Sequence, residues 1–125
     1  MKKIMVLTAA LVMAGSLSLA YGANVEKGKA LFESPNLGNG TTGKSCVTCH
    51  SGGKNLGKDL FERKHLTIMG MEKENIAAVI NTCIEKPLGG TAIDPQGEEM
   101  QDLIAYMKTL VAKKGKSKPK TIEGC

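Results

Sequence analysis

Cys46-Val47-Thr48-Cys49-His50 is the stretch on which the reading of this 125-residue chain turns. Two thiols three positions apart, followed at once by an imidazole, form the attachment pattern for a covalent c-type haem. The chemistry needs that spacing. Each sulfur adds to one haem vinyl group, and the ring of the next residue comes under the iron as proximal ligand. Cys46 and Cys49 are therefore assigned to the thioether bonds of one haem c, and His50 to its iron. A zinc site would need a second Cys or His pair at ligand spacing, and a thioredoxin-like dithiol would need a βαβ setting. The sequence offers neither.

Working outward toward the N-terminus, Lys2 and Lys3 precede an apolar run from Ile4 to Leu19, and Ala20-Tyr21-Gly22 sets small residues at both cleavage-determining positions. Residues 1–22 read as a secretory signal peptide cut after Gly22, which leaves a chain starting at Ala23. The run is shorter than the ~20 residues a membrane span needs. Covalent haem is installed after export in bacteria, so leader and motif agree on the periplasm.

What remains is small for a self-sufficient core. After Gly22 the aromatics are Phe32, Phe61 and Tyr106, with no Trp; a large flat porphyrin would supply missing core volume. Charge is uneven. Residues 24–112 hold ten Lys and Arg against eleven Asp and Glu, whereas Lys113, Lys114, Lys116, Lys118 and Lys120 crowd the end of the chain. The net charge of +5 thus belongs to the leader and the tail, which argues against a nucleic-acid-binding face. One domain over 23–112 followed by a flexible Lys-rich tail over 113–125 is the expected organisation. The tail suits steering toward an acidic redox partner or peripheral contact with an anionic membrane surface.

Helical periodicity accounts for most of the domain. A short helix is expected from about Val25 to Phe32, with Gly28 as its small contact residue. Turn residues from Ser34 to Gly40 break it. Ile76, Val79, Ile80, Cys83 and Ile84 form the stripe of an amphipathic helix from about Glu72 to Ile84, stopped by Pro87 and Gly89-Gly90. A last helix from about Gly97 to Ala112 carries Met100, Leu103, Ile104, Met107, Leu110 and Val111 on one face. No period-two alternation is sustained, which predicts an all-α fold; the segment from Asp59 to Met71 stays unassigned.

A Gly-containing first helix, then Cys-x-x-Cys-His, then a closing helix with Ala105-Tyr106, resembles the class I c-type cytochromes over residues 24–112. That resemblance implies a cytochrome c-like fold of three to four helices around one covalent haem, with first and last helices crossing at Gly28 and Tyr106. It also implies a distal Met about eighteen residues before the closing-helix aromatic. Counting back from Tyr106 reaches Leu88, which cannot ligate iron. The segment Asn81-Thr82-Cys83-Ile84, with Leu88, Gly90, Ala92, Glu99-Met100 and Ala105-Tyr106, is similar to thiosulfate dehydrogenases and related sulfur-oxidising cytochromes, where a Cys at this place is a haem ligand.

Cys83 is accordingly the favoured distal ligand, with Met69, Met71 or Met100 as alternatives and His65 or an open site after them. Cys83 could instead remain an inert buried thiol, or pair with Cys125 in an oxidising compartment. The choice matters because a thioether raises the iron potential and a thiolate lowers it. The expected function is a periplasmic monohaem cytochrome that passes single electrons between redox partner proteins such as other cytochromes, reductases or oxidases. The alternative is a haem enzyme or enzyme subunit that oxidises thiosulfate or related sulfur compounds.

Overall fold

The computed structural model describes residues 22–116. The leader reading for 1–21, the tail beyond residue 116 and Cys125 lie outside the described residues. Among the described residues, four α-helices and one two-stranded hairpin make up the regular structure, in the order α1 (Val25–Glu33), α2 (Cys46–His50), β1 (Leu66–Ile68), β2 (Met71–Lys73), α3 (Ile76–Glu85) and α4 (Glu98–Lys116). The protein is mostly helical, with short 3-10 turns at Leu37–Asn39 and Ser51–Gly53.

Three of these helices begin with a local cap. Asn24 Oδ1 accepts from the Lys27 amide at 2.9 Å, and Asn75 Oδ1 accepts from the Ala78 amide at 2.9 Å; both are side-chain caps on otherwise unpartnered donors. The five-residue α2 is entered through Ser45, whose amide donates to Thr48 Oγ1 at 3.0 Å.

Three expectations need correcting. The fold is not purely α, because the unassigned stretch contains an antiparallel hairpin with Leu66 opposite Lys73 and Ile68 opposite Met71. Its two-residue turn, Met69-Gly70, has positive φ at both positions (51° and 75°), the geometry that matches strand twist. Six residues of alternating strand are too few to register as a period in sequence. The middle helix consequently starts at Ile76 rather than Glu72, since residues 71–73 are taken by β2 and Asn75 forms the helix cap. At the other end, α4 continues past Ala112 into the lysine run as far as Lys116.

The frame is the crossing of α1 over α4. A Cβ on Gly28 would run into the backbone carbonyl of Asp102 and lie 2.9 Å from Tyr106 Cβ, so only glycine lets the helices approach this closely. Beside it, the rings of Phe32 and Tyr106 meet edge to face at 5.3 Å. Met100, Leu103, Met107 and Leu110 of α4 are buried against this joint and the core beyond it.

Candidate functional site

α2 places Cys46 and His50 four residues apart, hence on one face of a single helical turn, with Cys49 beside them. Cys46 and His50 line an apolar cavity that α3 closes from the other side. The α3 residues on that wall are Ile76, Val79, Ile80 and Cys83, spaced i, i+3, i+4 and i+7. Leu103 and Met107 of α4 and Leu66 of β1 complete the lining at other points. Ile84 leaves the cavity: it is fully buried, and a Cβ on Gly38 or Gly90 would press on its Cγ2.

Space free of protein atoms here amounts to about 820 Å³, open solvent at the mouth included.

His50 is held in one orientation. Its Nδ1 lies 2.9 Å from the Lys54 carbonyl, which can only accept, so Nδ1 carries the proton and Nε2 keeps a free lone pair. A backbone carbonyl on the second ring nitrogen is the usual support of a metal-ligating histidine. Asn55 Nδ2 donates to the Cys49 carbonyl at 3.3 Å and so ties the same loop to α2.

The three thiols, Cys46, Cys49 and Cys83, are all free. Burial, then the neighbouring Cys83 sulfur, pushes the Cys46 thiol up to about 11. Cys83 is also raised, first by burial and then by the field of Cys49. Each sulfur therefore stands within electrostatic reach of the others. Cys49 itself is exposed and does not line the cavity.

The other distal candidates stand elsewhere. Met69 is 57% exposed at the hairpin turn and Met71 follows it on β2; neither lines the cavity. Met100 is fully buried in the α4 core and does not reach the cavity. His65 is exposed ahead of β1. Leu88, the position that counting back from Tyr106 reaches, is buried away from the cavity. Its carbonyl accepts from the amides of Thr41 and Thr42, while the two threonine hydroxyls donate to Gly89 and Pro87 carbonyls at 3.0 and 2.9 Å. Four hydrogen bonds thus bind that segment to the 41–42 loop.

Sequence reasoning passed over Arg63, the one arginine among seventeen basic residues. Among the described residues it is the only permanently charged side chain lining the cavity. Asp59, four residues earlier, accepts from its Nη2 at 2.7 Å, and that bond holds the Asp59 carboxyl below the usual carboxylate range. Its rarity in a lysine-rich chain was the available signal, since Arg suits planar, bidentate carboxylate recognition and Lys does not. Missing too were Asn55, also in the lining, and the hairpin residues Thr67 and Ile68, which form part of the wall.

An apolar slot with two thiols, a thioether and an imidazole on its walls and one guanidinium in its lining suits a guest with an apolar body and an anionic rim. Haem is such a guest, and the residues present fit it. Set beside protein-family models, curated proteins and solved structures, the chain matches none.

Proposed function

We propose that this protein is an exported, periplasmic monohaem c-type cytochrome of cytochrome c-like fold, and that it passes single electrons between redox partner proteins. The observation that carries this reading is the convergence of Cys46, His50 and Cys83 on one apolar cavity, with His50 Nδ1 anchored on the Lys54 carbonyl. When bound, the haem supplies one-electron iron chemistry; the chain supplies attachment, orientation and burial.

Cys46 and Cys49 hold the porphyrin by thioether bonds, which needs two thiols within one helical turn. His50 offers Nε2 to the metal in a fixed tautomer, because its other nitrogen is committed to a backbone acceptor. Cys83 is the distal ligand of choice, being the one sulfur on the wall contributed by α3. Arg63 meets the anionic edge of the guest, and Asp59 steadies its guanidinium. Ile76, Val79 and Ile80 keep water from the buried face and lower the local dielectric, which tunes the potential. The lysine-rich end of the chain assists docking on acidic partners or an anionic membrane surface.

Cys83 also favours a second reading, oxidation of thiosulfate or a related sulfur compound, because a sulfur on the cavity wall is where such a substrate would be handled. Optical and electron paramagnetic resonance spectra of the purified oxidised protein test both. Covalent haem with a low-spin His/thiolate signal, lost in Cys83→Ala, is the expected result. A near-infrared sulfur-to-iron band of the His/Met type would remove Cys83 from the iron and leave an ordinary carrier. Protein purified from the periplasm without covalent haem would sink the proposal. Turnover of thiosulfate by the isolated protein would favour the second reading over the carrier.

A further inference from the structure

Asp102 differs from every other carboxylate among the described residues. The others are exposed; Asp102 is 2% exposed and belongs to neither ion pair that those residues form. One hydrogen bond reaches it, from the Asn24 amide to Oδ1 at 2.5 Å, and among the described residues its Oδ2 accepts none. Among the described residues no buried side-chain oxygen lacks a partner, so Oδ2 is the atom that keeps contact with the solvent of the recess, and a carboxylate this nearly buried favours a cation there. Asp102 opens onto a recess that it lines with Ala23, Glu98 and Gln101.

The charges around that recess are mostly acidic, and the cation among them, Lys27, lines a neighbouring recess with Asp102 and Glu98. On α4 stand Glu98, Glu99 and Asp102, and on the first turn of α1 stand Glu26 and Lys27. Lys27 is engaged by Glu98 at 2.6 Å on the exposed side. This end of the molecule is thus acidic. Immediately beside it lies the expected leader cleavage site. Hydrolysis of the Gly22–Ala23 amide by a leader peptidase consumes one water and leaves a carboxylate on Gly22 and an amine on Ala23. That amine is protonated at neutral pH. It sits one residue before the Asn24 amide already bonded to Asp102, less than one Cα–Cα step of about 3.8 Å along the chain.

We propose that Asp102, with Glu98 beside it, is the receptor for the α-ammonium that processing creates on Ala23, so that cleavage of the leader fastens α1 onto α4. The site's ligand is the chain's own new N-terminus. The same carboxylate then bridges the ammonium and the N-cap amide, and its negative charge also complements the positive end of α1. The proposal rests on export and cleavage after Gly22, and it is independent of what the cavity binds.

The linkage has a definite sign. An α-amine whose pKa is raised in the folded state contributes stability that is fully present below its unfolded value of about 7.7–8.0 and is lost as pH rises through the folded value. The experiment compares four processed proteins purified from the periplasm: the natural chain, a variant with one Gly inserted between Gly22 and Ala23, Asp102→Asn, and the insertion combined with Asp102→Asn. Mass spectrometry fixes each N-terminus, NMR titration gives the α-amine pKa, and thermal unfolding is followed from pH 6 to 10. Expected are an N-terminus at Ala23, an amine pKa above the ordinary range, and a higher melting temperature than the Gly-inserted protein. That gap should close at alkaline pH and be absent when the insertion is placed in the Asp102→Asn background. An amine titrating at its ordinary value overturns the proposal, as does a gap that persists to pH 10 or survives without the Asp102 carboxylate. An N-terminus elsewhere overturns it through its premise, leaving the cavity reading untouched.

Discussion

Where α1 crosses α4, backbone meets backbone: Gly28 has no room for a methyl group, and Phe32 and Tyr106 close the joint ring against ring. Between α2 and α3, apolar walls stand apart around the cavity that Cys46, His50 and Cys83 line. Protein interiors are close-packed, with few voids larger than a water. A chain that packs one joint to contact and keeps the other open is complete in the first region and incomplete in the second. The open region is also where the chemistry-bearing side chains gather, Cys46 and His50 from α2, Cys83 from α3, and Asn55 and Arg63 from the loop between them.

The contrast can be broken most severely at the thiols. Cys46→Ala and Cys49→Ala should each cost nearly all stable covalent haem while α1 and α4 still form. Haem content after acid extraction measures the first effect and circular dichroism the second; normal haem yield in both variants would remove the proposed cofactor.

The walls of the open region can be probed without the guest. In haem-free protein the exposed Cys49 should alkylate ahead of Cys46. With its thiol pushed up to about 11 from the ordinary 9.0, Cys46 holds about a hundredfold less thiolate near pH 8 than an unshifted cysteine. The folded state keeps that proton where the unfolded chain has released it, so stability of the haem-free fold should fall as pH rises between those two values. Peptide mass mapping after timed alkylation follows the order of reaction, and equal rates at both cysteines would mean that the α2 wall is not formed without haem.

The closed joint is tested by Gly28→Ala. A methyl there must push α1 off α4, which should cost about 1–3 kcal/mol. For a domain of this size each kcal/mol lowers the melting temperature by about 4–8 °C. A neutral substitution would show that the crossing yields as readily as the cavity. Asn75→Ala should have the smallest effect, about 1 kcal/mol from loss of the cap on α3. It sharpens the comparison if the haem spectrum responds while the α1–α4 joint, followed by hydrogen exchange at Leu103, does not.

Much of the helical frame was legible in the order of residues. The α3 stripe and the α4 face are long enough for a 3.6-residue period to repeat, and the ends of α1 and α3 carry recognisable stop signals. The hairpin was not legible, since three residues per strand do not establish a period and Met69 is an unusual residue at positive φ. Its presence shortened α3 and turned Met69 and Met71 away from the cavity. Leu88 shows the same limit from the other side: the sequence says that it cannot ligate, but the hydrogen bonds to Thr41 and Thr42 explain what its segment does instead. Arg63 and Asn55 were overlooked because a loop residue acquires a role only from what the chain folds beside it.

The pentapeptide Cys46–His50 carries the proposed haem attachment by itself, because two thiols and an imidazole fall within little more than one turn of helix. The sequence alone likewise determined the helical character, the charge imbalance and the leader pattern, each a property of neighbours along the chain. Which face of α3 meets α2, which of Cys83, Met69, Met71 and Met100 shares a cavity with His50, and which carboxylate ends up buried beside Ala23 were decided by tertiary structure alone. Those outcomes depend on residues dozens of positions apart brought together by the close approach at Gly28, and no local pattern encodes that distance.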